Sequence, residues 1–260
     1  MAQNTILSAH NLSIGYMARK SNVPIAEHIN IKLKSGSLTA LIGANGIGKS
    51  TLLRTLTGIQ KPLEGQVILN SKDINSYSPE HLSQQLSLVL TDNLPPSNLT
   101  VFELVALGRQ PYTNWLGSLL PEDITKVNNA LKLTQTQELA TKKHHELSDG
   151  QLQKVLIARA LAQDTSLIVL DEPTTHLDLL HKVNLLRLLK KLAQESGKCI
   201  LYSTHDLDMA LQLSDEIIIM KNGNLLQGTS KELIDNKAFD TLFDDTDIVF
   251  NASTKTFRVK

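Results

Sequence analysis

The sequence predicts an α/β protein built around a mostly parallel sheet, and three observations carry that prediction. Short β-branched or wholly apolar runs at 37–42, 85–90, 167–170, 198–204 and 216–220 alternate with stretches of helical period. Two of these runs, LIVL and EIIIM, show almost no polar alternation, as expected of strands covered on both faces. Hydrophobic residues make up 41% of the 260 and charged residues 20%, which is enough apolar material for a sizeable core and excludes disorder as the main state.

Taken in order, residues 4–33 mix Ile and Leu with polar alternation and read as antiparallel strands beside the main sheet. A helix is expected over 49–57. Between 97 and 141 the strand signals vanish, and short helices separated by Pro111 and Pro121 read as a helical insert. Leu152, Val155, Leu156 and Ala160 share one face of a helix that starts near Gly150. Val183, Leu186, Leu189 and Ala193 line another that stops at Gly197. A short helix at 231–234 and strand-like runs at 247–250 and 256–259 form a C-terminal appendix. The expected division is one unit over 1–260: a core of 1–96 and 142–228 that includes the antiparallel β subdomain, a helical subdomain of 97–141, and an appendix of 229–260.

Charge and targeting signals narrow the function. The 26 Lys and Arg balance 26 Asp and Glu, so no basic field attracts nucleic acid. Cys199 is the only cysteine, which excludes an intramolecular disulfide and suits a reducing compartment. The opening MAQNTILSAHNLSIGYMARK has no cationic start leading into an apolar run, so a cytoplasmic address is expected. No window approaches the roughly 20 apolar residues of a membrane span, so any membrane association would come through a partner.

GANGIGKS, Gly43 to Ser50, fits G-x-x-x-x-G-K-[ST] and sits where that loop must sit, after the strand LTALI and before a helix. The pattern marks a P-loop nucleoside triphosphatase core. Gly43, Gly46 and Gly48 permit close backbone approach, so that N–H groups and the positive end of the helix face a phosphate. Lys49 would reach the β and γ phosphates of a nucleotide, and Ser50 would offer a hydroxyl to Mg2+. SLIVLDEP ends a buried strand in Asp171 and Glu172. Acidic turns often follow strands, but beside the loop they suggest Asp171 as metal ligand and Glu172 as the general base that polarises water.

The block from Glu146 to Asp178 resembles the signature region of ABC-type ATPases, with Leu147-Ser148-Asp149-Gly150-Gln151 standing for LSGGQ. With GANGIGKST, His205 in YSTHDL and Tyr16 in LSIGY, the resemblance spans nearly the whole chain. It implies the ABC ATPase fold and a head-to-tail homodimer in which each ATP lies between the loop of one copy and the signature of the other. Asn45 and Thr51 would join the loop contacts. Ser148 and Gly150 would complete the phosphate site in trans, although Ser148 also reads as a plain helix cap. By the same resemblance His205 contacts the γ phosphate, Asp178 crosses the dimer interface unless it only caps the next helix, and Tyr16 stacks on adenine unless it merely packs.

Two positions depart from the family. Where a glutamine usually ends the strand LSLVL, this chain has Thr91, then Asp92; a threonine would reach the metal only through water. Asp149 replaces the first signature glycine and brings a negative charge close to the expected phosphates, while favouring its own helix N-terminus.

LTVFELVALGRQPYTNWLG, residues 99 to 117, and THLD resemble importers of iron-siderophore, haem and cobalamin. The implied function is the ATPase subunit of a metal-chelate importer, on the cytoplasmic side of the inner membrane beneath two permease subunits fed by a substrate-binding protein. Arg109, Tyr112 and Trp115 are expected on an exposed segment suited to a partner groove, or else Tyr112 and Trp115 belong to the insert's own core. The alternative is a non-transport ABC ATPase such as an iron-sulfur assembly scaffold subunit. A P-loop kinase or GTPase leaves ELSDGQ unexplained.

Overall fold

The computed structural model describes residues 4–17, 22–90, 97–175, 177–240, 242 and 248–259. In chain order its elements are β1 (Thr5–Tyr16), β2 (Val23–Lys34), β3 (Leu38–Ile42), α1 (Lys49–Leu56), β4 (Glu64–Leu69), β5 (Lys72–Asp73), α2 (Pro79–Ser83) and β6 (Leu86–Val89). Then come α3 (Val101–Ala106), α4 (Pro121–Leu133), α5 (Asp149–Ala162), β7 (Leu167–Leu170), α6 (Leu179–Ser196), β8 (Cys199–Ser203) and α7 (Leu207–Leu213). The chain continues through β9 (Glu216–Lys221), β10 (Asn224–Gly228), α8 (Ser230–Asp235), β11 (Ile248–Asn251) and β12 (Thr256–Val259).

The main sheet has the order β10-β9-β3-β8-β7-β6, with every pairing parallel except the β10 edge. Every residue of β3, β7 and β8 is buried, which explains why their sequences lack alternation. The order matters for function. Parallel strands discharge their loops at one edge, and β3, β8 and β7 are neighbours. Register sets Leu41 beside Ser203 and Leu170 beside Tyr202, so the loops leaving these strands emerge side by side.

A second sheet, β2-β1-β4-β5, is antiparallel. On β2 buried and exposed residues alternate over its last six positions, the signature of a sheet wetted on one face. Helix α1 lies between the two sheets. Its Leu52, Leu53 and Leu56 are buried in one cluster with Leu7, Leu12 and Ile14 on one side and Leu41, Leu167 and Leu201 on the other. Each such burial is worth about 1.5–3 kcal/mol. The other core lies across the main sheet and joins it to α3 through α7.

The runs at 85–90 and 198–204 pair over slightly shorter spans than their composition suggests. β4, β5 and β10 pair as further strands, beyond the runs legible as such. The elements within 97–141 are all helical, as that stretch led one to expect. At the C-terminus, β11 and β12 form a separate hairpin whose Phe250 and Phe257 rings pack 5.0 Å apart, and each touches buried Phe239. Cys199 is fully buried and its thiol is pushed up to about 12 by burial, so it is a core residue without reactive character.

Candidate functional site

The loop between β3 and α1 forms one wall of a cleft of about 520 Å³ lined by Tyr16, Asn45, Gly46, Gly48, Lys49, Ser50, Thr51, Glu172 and His205. Two glycines are forced by the fold. A Cβ on Gly43 would sit 2.6 Å from the carbonyl oxygen of Met220, and Gly48 combines φ of 110° with a Cβ position 2.4 Å from Ile25. Gly46 differs: it has φ of 75°, open space around the Cβ position, and a place in the lining of the cleft.

Lys49 is buried, and its Nζ donates to the carbonyl oxygens of Gly43 (2.9 Å) and Ala44 (3.2 Å). Burial pushes its pKa down, while Glu172 and Asp171 pull it back up. The ammonium is thus held inside the loop's own curve, next to carboxylates it does not touch. Ser50 and Thr51 follow on the first turn of α1, with Ser50 exposed and Thr51 buried. Tyr16 ends β1 at the cleft mouth, 56% exposed, its hydroxyl 3.3 Å from Thr51 Oγ1.

The opposite wall comes from the ends of β7 and β8. Asp171 is buried, and Ser203 Oγ donates to its Oδ1 at 2.6 Å. The same hydroxyl accepts from the backbone N–H of Glu172 at 2.8 Å. One serine therefore fixes both carboxylate residues. Glu172 sits at φ of 47°, a left-handed conformation that costs a non-glycine residue about 1–3 kcal/mol. Thr175 Oγ1 donates to Glu172 Oε2 at 3.2 Å, and His205 Nδ1 stands 3.7 Å from that oxygen, an ion-pair distance if the imidazole is protonated. Ser203 escaped the sequence reading because its role depends on the pairing of β7 with β8, which no local pattern reveals.

Ser148, Gly150 and Asp178 do not line this cleft; they gather on another surface. Ser148 caps α5 by accepting from Gln151 N at 3.4 Å, and Gln151 Oε1 accepts from Ser148 N at 3.1 Å. Asp178 caps α6, accepting from His181 N and Nδ1 at 2.9 and 2.8 Å, and these bonds hold its carboxyl below the usual range. The capping readings of both residues are thus realised within one chain. A Cβ on Gly150 would meet His181 and Leu177 at ordinary contact, 3.5 and 3.6 Å. Its own chain therefore does not require glycine there. Thr91, the expected metal contact, and Asp92 lie outside the described residues.

One expectation is corrected. Arg109 is not a surface group: it is 4% exposed, its Nε donates to Asp123 at 2.9 Å and its Nη1 to the carbonyl of Ala162 at 2.8 Å. Its guanidinium also lies 3.9 Å over the Tyr112 ring, whose hydroxyl donates to the Gln163 carbonyl at 3.0 Å. Both residues tie the helical insert to the end of α5. Asp123, fourteen residues away, is the partner the sequence pattern did not single out. Trp115 alone of the three is fully presented, 91% exposed.

Fold and cleft together define a P-loop nucleoside triphosphatase. The chain belongs to the ABC transporter family, whose model matches residues 26–175, and within that family it is an ATP-binding subunit and an ATPase. It is 40% identical over 250 residues to the iron(3+)-hydroxamate import ATP-binding protein FhuC of Bacillus subtilis (strain 168), covering 95% of this chain and 91% of the relative. A solved transporter assigned to the metal-chelate type, in an inward-facing conformation, superposes with a TM-score of 0.80 at 30% identity, covering 92% of this chain and 89% of that one. The ATP-binding cassette MJ0796, solved as a dimer in a post-hydrolysis state with ADP and phosphate, matches with a TM-score of 0.73 at 29% identity over 86% of this chain and 99% of that one.

Proposed function

We propose that the chain powers uptake of a metal chelate of the iron-siderophore, haem or cobalamin kind, working as a head-to-tail homodimer beneath two permease subunits at the cytoplasmic face of the membrane. The observation that carries this reading is the division of the site. The loop, Glu172 and His205 share one cleft, whereas Ser148 and Gly150 start a helix on another surface, so a second copy is needed to bring the two halves to one nucleotide. The dimer of MJ0796 with ADP and phosphate supports that arrangement, and the hydroxamate-import relative favours transport over an iron-sulfur scaffold.

Within the cleft, Lys49 and the N–H groups of Gly46, Gly48 and the first turn of α1 hold the β and γ phosphates, with Asn45 at the loop's outer edge. Tyr16 carries the adenine. The donor set suits Mg2+: Ser50 and Asp171 offer hard oxygens, and among the described residues no three His, Cys, Asp or Glu side chains could hold a metal alone, so the ion fits as one that arrives with nucleotide. When bound, magnesium neutralises charge on the β and γ oxygens. Glu172 accepts the proton of the attacking water, His205 orients that water against the γ phosphate, and the second copy's signature closes the anion site. Asp178 contacts the twin. No helix among the described residues is long and apolar enough to cross a membrane, so attachment runs through the permease, with residues 97–141 as the unit that meets it.

Uptake of radiolabelled ferric hydroxamate tests the proposal. Cells lacking this subunit should lose ATP-dependent uptake, the parent should restore it, and Lys49→Ala should not. Uptake of every chelate of this kind at the parental rate without the subunit would dismiss the importer reading.

A further inference from the structure

Two local rules of helix construction are broken where α6 and α7 begin, and the two breaches meet in one ion pair. Ser78, Thr100, Ser148, Asp178 and Thr229 each cap the next helix with their side chains. Asp206 stands at the same position before α7, with a side chain as well suited to capping, yet makes no cap bond. Its carboxylate turns away: Oδ2 accepts from Lys182 Nζ at 2.9 Å and from the buried Thr174 hydroxyl at 3.4 Å. Lys182 for its part places a cation on the first turns of α6, whose dipole disfavours positive charge there. Both side chains are largely shielded, at 18% and 22% exposure.

The pair joins three segments of the site. Asp206 follows His205 directly, and the N–H of Leu207 donates to the His205 carbonyl. Thr174 is two residues beyond Glu172. Lys182 lies one turn beyond Asp178. Leu177, whose N–H donates to the Thr174 carbonyl, faces the Gly150 position. One partly buried ion pair thus ties the corner bearing His205 and the turn bearing Glu172 to the start of the helix that presents Asp178. Consistency of local and global signals usually fails only where function overrides it.

We propose that Lys182 and Asp206 are positioning residues: their ion pair holds these three segments as one body, so that contact made by a second copy at the start of α6 sets the geometry of Glu172 and His205 in the cleft. This rests on the nucleotide-sandwich reading above. The pair touches no substrate. It acts through the residues that do, and it makes the two sites of a dimer dependent on each other.

Substitutions separate this from a structural role. Asp206 makes no cap bond, so Asp206→Asn removes the charge without taking a cap from α7; Lys182→Met keeps the stem's packing and removes an unfavourable cation from α6. ATP hydrolysis by the assembled transporter is measured for both, for Lys182→Arg and for the double variant, alongside the melting temperature. Each single change should lower kcat about tenfold with KM for ATP little altered, and should bring the Hill coefficient to unity. The double variant should be no worse than either single one, and Lys182→Arg should retain both kcat and cooperativity. Parental kcat and Hill coefficient in Asp206→Asn and Lys182→Met would overturn the proposal, as would losses that merely track a fallen melting temperature. Lys49→Ala serves as the control for the underlying reading: if it too kept full turnover, the nucleotide assignment itself would be at fault rather than the ion pair.

Discussion

Replacing Ser203 with Ala removes one hydroxyl that is fully buried and makes two bonds, one to the Asp171 carboxylate at 2.6 Å and one from the Glu172 N–H at 2.8 Å. Loss of a bond to a charged acceptor, together with a main-chain donor left without its partner, adds up to about 3 kcal/mol. For a chain of this size that lowers the melting temperature by roughly 6–12 °C, read by differential scanning calorimetry. The effect on turnover should be larger than stability alone implies. Glu172 is held at φ of 47° with the Ser203 bond on its N–H, and once released it can relax toward the ordinary negative φ, carrying its carboxylate away from His205. A displacement of about 1 Å costs on the order of a hundredfold in rate. Steady-state ATPase at a temperature where the variant is fully folded should therefore show kcat down by about that factor, with a smaller change in KM, because Lys49 and the loop are untouched while Asp171 loses one of its bonds. Ser203→Thr keeps the hydroxyl and should recover most of the rate. A lowered melting temperature with parental kcat would refute the reasoning, since Ser203 would then support the sheet without setting Glu172.

Gly150→Ala probes the other half of the site: the chain itself has room for the methyl, and alanine stabilises a helix by about 0.5–1 kcal/mol, so the melting temperature should hold or rise. Under the proposed contact of a second copy at this helix start, ATPase should fall at least tenfold. An active Gly150→Ala would remove the need for a trans contact there. Arg109→Met strands Asp123 in the insert and should cost about 3–5 kcal/mol by chemical denaturation. The same ion pair sets an acid limb. Burial raises the Asp123 pKa, but hydrogen bonds from the Leu120 N–H and the Arg109 guanidinium outweigh it and hold the carboxyl below its ordinary value. The stabilisation is present above the unfolded value of about 3.9 and is lost as pH falls below it, so parental stability should drop on that acid side and Arg109→Met should flatten the drop.

How much of this was legible depended on how local the signal was. The loop at Gly43 to Ser50, the strands LTALI and LIVL, and the helix stopped by Gly197 all follow from residues adjacent in sequence, and the structure places each as its pattern suggests. The caps at Ser148 and Asp178 were legible as alternatives for the same reason. What stayed hidden depends on pairings between distant segments. Ser203 matters through the register of β8 against β7, Arg109 through Asp123 on the next helix, and Asp206 through a lysine on α6. An arginine between a glycine and a proline-bearing turn reads as surface until its carboxylate is found.

The account rests on a nucleotide held between two copies of this chain, and Glu172→Gln tests that most directly. The substitution removes the proposed base while leaving the loop, the signature and the Ser203 bond to the backbone of residue 172 in place. Analytical ultracentrifugation of this variant with and without Mg-ATP, repeated with the assembled permease, reads the outcome. The prediction is hydrolysis reduced to background and an ATP-dependent shift from one copy to two that ADP does not produce. Parental turnover in the variant, or a single sedimenting copy at saturating ATP with its two cassettes still apart on the permease, would contradict it.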